Sequence, residues 1–486
     1  MRLDPDLCYR AWVTRDRRFD GRFFMGVTTT GIYCRPGCPA RVPARRNVQF
    51  YPSAAAAESE GFRPCRRCRP ETAPGCAAAQ GTHATVARAL RLIEEGALDG
   101  GSVEALAGRL GVTDRWLREL FTQQLGASPL DVAQTRRAHL ARRLLDETAL
   151  PLTHVALASG FAGERQLRRA LQRTFHRNAS ELRGATPSGS GGALTLRLPA
   201  RAPFDAAPIL AFLGSRAIPG VEEVVEGIYR RTVVLDDTDA VLTVKADGDR
   251  GVFLSLTPPI ARSLPRVVAK VARLFDLDAD VTAIGEHLAK DPVLARALKT
   301  GAVRVPGAWH PFELAVRALL GQQVSVTAAR TLAGRLVRLA GQPLVSPSGS
   351  LTHRFPTPAA VAALPLASHA MPRARAEALR GLAGAVADGS LDLASFRDLE
   401  HAVESLTALA GIGDWTAHYL AMRAFCEPDA FPASDLGVRK ALARAGRMPT
   451  TRETLARAEH WRPWRSYAVF TLWRSLAAPT RRKGTR

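Results

Sequence analysis

LTALAGIGDWTAHYLAMRAFCEPDAFPASDLGVRK, residues 406–440, decides how the second half of this chain folds. Its Leu409-Ala410-Gly411-Ile412-Gly413 segment has the form of the turn in a helix-hairpin-helix. Two glycines let the backbone pass close to a partner, and the helix that opens just after them aims its first N–H groups outward. A DNA phosphate suits such a turn. Further on, Asp435 follows the apolar Phe431-Pro432 and opens another helical stretch. A Gly-x-Gly on its own is an ordinary loop. Turn, helix, proline and aspartate in this order make a candidate site.

Working outward, the composition agrees with a nucleic-acid partner. The net charge is +22, the pI is about 10.8, and nearly all of the 67 basic residues are arginine. Basicity of that size supplies phosphate affinity that does not depend on sequence. An arginine-rich proteome would give the same charge by placing Arg on solvated faces. A chain of 486 residues exceeds one hydrophobic core and implies three or four domains. The N-terminal MRLDPDLCYRAWVTRDRRFD lacks the apolar core of a signal peptide, and no apolar run is long enough to span a membrane. A cytosolic protein with reduced cysteines is expected.

Low-complexity breaks divide the chain. PETAPGCAAAQGTHA (70–84) separates a cysteine-rich start from a helical region, and GATPSGSGG (184–192) reads as a flexible linker. Strand-rich segments follow, ALTLRLPA, then residues 228–235, 240–245 and 251–256. From about residue 265 the pattern is helical to the end. The expected class is multidomain α+β.

The order hairpin, Gly-Ile-Gly, helix, Pro, Asp resembles the helix-hairpin-helix DNA glycosylases, and its flanks resemble their AlkA-type alkyl-base branch. Pro203-Phe-Asp205 with Ile209–Ile218, Pro311–Ser325 and Arg465–Trp473 extend that resemblance over about 193–480. It implies an α+β N-terminal lobe (193–300) and an all-α catalytic domain (301–480) that flips a damaged nucleotide into a pocket. Phe212, Trp415, Tyr419 and Trp473 match the family's aromatic base pocket, where electron-rich rings attract a cationic alkylated purine. Asp435 matches its catalytic aspartate, which stabilises the sugar cation or orients water onto C1′. An aspartate after proline also caps helices, and Asp435 can do both. Gly411 and Gly413 would meet DNA phosphates. Trp415 stands where lyase-type relatives place a Schiff-base lysine, so β-lyase activity is not expected. Two positions depart from the family: Ala410 replaces a hairpin proline, and Ser434 replaces an acidic neighbour of Asp435.

Near the N-terminus, Cys34-x3-Cys38 and Cys65-x2-Cys68 are separated by 26 residues, spacing that reads as tetrahedral Zn²⁺. Cys8, Cys76 and Cys426 lack such spacing. Eight arginines (35, 41, 45, 46, 63, 66, 67, 69) lie among these cysteines against Glu58 and Glu60 alone. Spacing alone favours a zinc knuckle that merely staples a small domain. Thr28–Arg41 followed by Gly61–Cys68 resembles the N-terminal domain of the Ada DNA-repair proteins, giving a zinc domain over 1–75. That resemblance makes Cys34 both zinc ligand and acceptor of a methyl group from a DNA phosphotriester, with Arg41 and Arg45 holding neighbouring phosphates. Four thiolates around Zn²⁺ carry a net −2 charge, which keeps sulfur nucleophilic.

Between these parts, residues 103–121 and 155–175 each fit helix, turn, helix, with apolar positions 103, 106, 110, 117, 120 and 121 in helical register. The pair resembles the all-α AraC-type double helix-turn-helix, placed at 84–183. Arg165, Arg168, Arg169 and Arg173 on the second reading helix suit the major groove or its phosphates. The tail HRNASELR departs from the family's usual ending, and the Pro-Cys-His-Arg methyltransferase half found in many Ada proteins is absent.

These resemblances imply a fusion that excises alkylated purines, senses methyl phosphotriesters and regulates transcription. Its expected partner is double-stranded DNA at damaged sites and at a promoter, with Zn²⁺ as cofactor and no small-molecule cofactor. No membrane partner is expected, and the chain is expected to be monomeric. Two rival readings stay open: a regulator whose glycosylase half only binds DNA, and a repair enzyme whose helix-turn-helix units are nonspecific anchors.

Overall fold

A computed structural model describes residues 3–70, 73, 84–183, 193–260, 262–365, 372–393, 396–444 and 446–477. Cys76 and the expected linker 184–192 lie outside them. The chain forms two compact units. The first comprises residues 1–273, 277–279 and 334–355; the second comprises 274–276, 280–333 and 356–486.

The first unit opens on a four-stranded sheet ordered Val48–Tyr51, Phe24–Val27, Ile32–Cys34, Arg63–Pro64. Its last pairing is parallel, with Ile32 opposite Arg63 and Tyr33 opposite Pro64. That register brings the strand ends carrying Cys34 and Cys65 side by side, and the Cys65 amide donates to the Tyr33 carbonyl at 3.0 Å. Trp12, Phe23 and Met25 fill the core beside the cysteines.

Next come two helix pairs, Val103–Arg109 with Asp114–Leu125 and Leu152–Ala158 with Glu164–Phe175, joined by the long helix Pro129–Glu147. The apolar positions of the first pair are all buried, as their spacing requires. Two of these helices start at a side-chain cap: Thr113 accepts from the Trp116 amide, and Ser128 with Asp131 makes a reciprocal capping box. The second pair shares one core with Leu194, Leu196 and Leu264, so the strand after residue 192 packs directly on it.

A five-stranded antiparallel sheet follows, ordered Leu194–Pro199, Gly251–Thr257, Thr238–Ala246, Ile228–Leu235, Glu222–Val225. The alternation Leu194, Leu196, Leu198 inward and Thr195 outward is what a half-buried strand needs. One expectation is corrected here. The chain is not helical throughout after residue 265, because Pro343–Ser348 and Leu351–His353 form a hairpin within the first unit. Its Val345 is 90% exposed, so period-2 apolar alternation never develops and the strand leaves no signature in the residue pattern.

The second unit is helical. Pro311–Leu320 is buried almost all round. Leu399–Thr407 and Asp414–Arg423 form the expected hairpin, and Leu436–Ala441 and Arg465–Ala477 pack beside one another.

Candidate functional site

The hairpin turn is built around Gly411. Its φ is +83°, and a Cβ there would sit 2.5 Å from the Ala378 Cβ, so both backbone and packing demand glycine. Gly413 instead faces open space and precedes Asp414–Arg423 with no side-chain cap. The first amides of that helix are therefore presented without a capping side chain, the arrangement that accepts an anion. Gln322 supports the turn from behind, donating to the Gly411 carbonyl at 3.0 Å and to Thr416 Oγ1 at 3.3 Å.

Asp435 is 8% exposed and caps Leu436–Ala441, its Oδ1 accepting from the Val438 amide at 2.7 Å. The same oxygen accepts from Trp473 Nε1 at 2.8 Å, and Oδ2 accepts from Trp415 Nε1 at 2.8 Å. Two indoles thus hold one carboxylate, each through its single N–H. Trp415 stacks on Tyr419 with centroids 5.2 Å apart and planes 7° from parallel, and Tyr419 lies 6.4 Å from Trp473. The three rings are half-buried and gather over the carboxylate. Arg423 is buried beneath them, bonding the Tyr419 hydroxyl at 2.8 Å and the Pro306 and Gly307 carbonyls. Gly437 has its own reason: a Cβ there would meet Asp435 Oδ1 and the Trp473 ring, each at 3.0 Å.

The loop that delivers Asp435 is fastened from two helices. Arg465 bonds Asp429 through Oδ1 at 2.8 Å and Oδ2 at 3.0 Å, and the Ser466 hydroxyl donates to the Glu427 and Ala430 carbonyls. From the other side, His418 Nδ1 accepts the Phe431 amide at 3.3 Å. Burial lowers the His418 pKa, which favours the neutral ring that such acceptance requires. Gln322, Arg423, Gly437 and His418 carry no signal of their own in the sequence, because their partners are remote in the chain. Phe212, the fourth expected pocket residue, belongs to the first unit, on helix Ala207–Arg216, with the Arg216 guanidinium 3.9 Å above its ring.

In the first unit the Sγ atoms of Cys34, Cys38, Cys65 and Cys68 all lie within 4.8 Å of one another, and all four residues are buried. Tetrahedral zinc at about 2.3 Å from each sulfur separates them by about 3.8 Å, so the set fits. Hydrogen bonding to Cys38 and the other thiols, with burial, raises Cys34 far above an ordinary thiol, whereas Cys38 and Cys65 are lowered. That is the pattern of sulfurs sharing protons, and a dication takes the place of those protons. Cys8, also buried, has its thiol pushed up to about 11 by burial and, among the described residues, belongs to no such cluster.

A cavity of about 480 Å³ lies beside Cys34, lined by Arg41, Arg63, Arg66 and Arg67 and by Phe175 and His176 from the end of the second reading helix. Arg41 is exposed at its edge. Arg45 is placed differently, its guanidinium 5.1 Å over Phe50 and 5.8 Å over Tyr9. Arg165, Arg168, Arg169 and Arg173 form one exposed face of helix Glu164–Phe175, and Arg168 pairs with Glu164 at 3.1 Å.

Comparison with known proteins bears on these sites together. The metal binding domain of Ada matches residues 7–71, a helix-turn-helix domain matches 106–185, and the AlkA N-terminal domain matches 195–310. Over 486 residues the chain is 42% identical to the "Probable bifunctional transcriptional activator/DNA repair enzyme AlkA" of Mycobacterium tuberculosis, covering 99% of this chain and 98% of that protein. The chain belongs to this family of Ada–AlkA fusion proteins.

Separate relatives match its two halves. DNA-3-methyladenine glycosylase 2 of Escherichia coli is 34% identical over 56% of this chain and 94% of its own length. The bifunctional transcriptional activator/DNA repair enzyme Ada of the same organism is 35% identical over 37% of this chain and 49% of its own length. The 3-methyladenine DNA-glycosylase of Archaeoglobus fulgidus shares the fold across 58% of this chain, with a TM-score of 0.50 and 23% identity. No helix of the described residues is long and apolar enough to cross a membrane. The Ada–AlkA family thus joins in one chain a tetracysteine zinc site, a helix-turn-helix pair and a glycosylase fold.

Proposed function

We propose that this Ada–AlkA fusion repairs alkylated DNA by two chemistries and regulates transcription in response. The observation that carries the first is the Asp435 carboxylate, held by two indole N–H groups under a cluster of three aromatic rings. A cationic purine such as 3-methyladenine, flipped from duplex DNA, stacks on electron-rich rings more strongly than a neutral base does. As its bond to C1′ lengthens, the sugar becomes cationic and the Asp435 charge opposes that cation. Water then adds at C1′, and the base leaves as a neutral group that needs little acid help. Trp415 offers no amine to the sugar, so the product is an intact abasic site. Gly411 and Gly413 take the backbone phosphates beside the lesion.

In the second chemistry Cys34 Sγ attacks the methyl carbon of a DNA methyl phosphotriester. A sulfur–carbon bond forms, the oxygen–carbon bond breaks, and the DNA phosphodiester leaves with the electron pair. Zinc, when bound by Cys34, Cys38, Cys65 and Cys68, holds the sulfurs deprotonated. Arg41 and the other arginines of the cavity hold the flanking phosphates, while Arg165, Arg168, Arg169 and Arg173 read promoter DNA. One experiment tests both reactions: methylated DNA is incubated with the protein, and released bases and label on Cys34 are measured. Release of 3-methyladenine together with label at Cys34 is expected. DNA that is bound without either product would leave a regulator alone.

A further inference from the structure

The residues on either side of Cys34 are each tied to a different domain. Tyr33, fully buried, donates its hydroxyl to Glu58 Oε1 at 2.8 Å and lies 3.1 Å from His139 Nε2. Glu58 also bonds His139 at 2.8 Å and accepts from Thr135 Oγ1 at 2.8 Å. His139 and Thr135 are one turn apart on the long helix Pro129–Glu147, and the His139 ring lies 6.1 Å from Phe175 at the end of the reading helix. One carboxylate thus joins the neighbour of the acceptor cysteine to the DNA-reading domain.

Arg35 is held the other way. It donates to the Cys68 carbonyl at 2.8 Å and to Asp20 Oδ2 at 2.9 Å, while Asp20 Oδ1 accepts the Gly37 amide at 2.8 Å. Asp20 is 2% exposed, and its own carbonyl accepts from Arg201 Nη1 at 2.5 Å. Arg201 is fully buried, belongs to the segment matched by the AlkA N-terminal domain, and donates through Nε to the Asp278 carbonyl at 3.0 Å. The loop carrying Cys34 and Cys38 therefore takes its position in part from the glycosylase's N-terminal lobe.

We propose that Glu58 and Asp20 are positioning residues for methyl transfer to Cys34, and that His139 and Arg201 complete that site from two other domains. The proposal rests on Cys34 being the acceptor. In-line attack needs the sulfur, methyl carbon and leaving oxygen aligned, and a displacement of about 1 Å can cost about a hundredfold in rate. Hydrogen-bonded carboxylates at both flanks, Asp20 buried and Glu58 partly buried, hold the backbone of Cys34 to such tolerance. The acceptor reaction then depends on residues far outside the zinc domain.

The test uses the full chain with zinc bound, single-turnover methyl transfer from phosphotriester DNA, and the variants His139→Leu and Arg201→Met. Each is expected to lower the maximal transfer rate about tenfold, the equivalent of one buried hydrogen bond. Half-saturating DNA, zinc content and base excision should stay near the parent. His139→Gln, which keeps a donor toward Glu58, should recover most of the rate. Tyr33→Phe removes a single hydroxyl and serves where His139→Leu fails to fold. Parental maximal rates in Tyr33→Phe and Arg201→Met, with label on Cys34, would overturn the proposal. Label that persists in Cys34→Ser would instead overturn the acceptor assignment beneath it.

Discussion

Replacing Asp435 by asparagine separates two contributions that the structure superimposes on one side chain. The carboxylate accepts three N–H bonds, from Val438 and Trp473 at Oδ1 and from Trp415 at Oδ2. An amide oxygen placed at Oδ1 keeps the first two, but its NH₂ then faces the Trp415 N–H, donor against donor. Leaving that contact unsatisfied costs about 1–3 kcal/mol, which lowers stability without unfolding the unit. The loss of charge is larger in its effect on rate. A unit charge about 4 Å from the sugar cation, at an effective dielectric of about 20, is worth about 4 kcal/mol, or about a thousandfold. Single-turnover release of 3-methyladenine from methylated DNA should therefore fall by about three orders of magnitude, with DNA affinity close to the parent. Trp415→Phe keeps a stacking ring and removes one donor to the carboxylate, so a smaller loss of about ten- to a hundredfold is expected. Excision by Asp435→Asn within tenfold of the parent would refute the charge argument.

Elemental analysis should find one zinc per chain, lost in the Cys38→Ser/Cys65→Ser double variant. Product DNA should carry intact abasic sites, and borohydride should trap no covalent adduct with the glycosylase half, since Trp415 supplies no amine. Methylation of Cys34 changes the zinc site from −2 to −1 among its arginines, so affinity for a promoter fragment should rise about tenfold at low salt and less at high salt. Asp291 accepts from the Val293 amide and takes Arg457 through both oxygens at 2.7 Å. Burial raises its carboxyl, but the Arg457 hydrogen bond and the amide outweigh that and bring it to about 2. Its stabilisation is present above the unfolded value of about 3.9 and lost as the pH falls toward 2. Asp291→Asn should flatten the dependence of melting temperature on pH across that interval.

The residue pattern alone was enough for the parts whose physics is local. Cys34, Cys38, Cys65 and Cys68 announce a metal because two close cysteine pairs at this spacing suit a tetrahedral zinc site. The two helix-turn-helix units show in apolar spacing, and Gly411 shows because a tight turn excludes other residues. Asp435 could be placed after its proline and at a helix start. Its hold by Trp415 and Trp473, twenty and thirty-eight residues away, could not, because no periodicity encodes which donor meets which oxygen. The hairpin at Pro343–His353 escaped for a related reason, its strands being nearly bare of buried side chains. Residues such as Gln322, His418, Arg423 and Arg201 look like ordinary polar positions in the chain. Only the folded protein aims them at carbonyls and amides remote in sequence, where burial makes an unmet hydrogen bond costly and their placement specific.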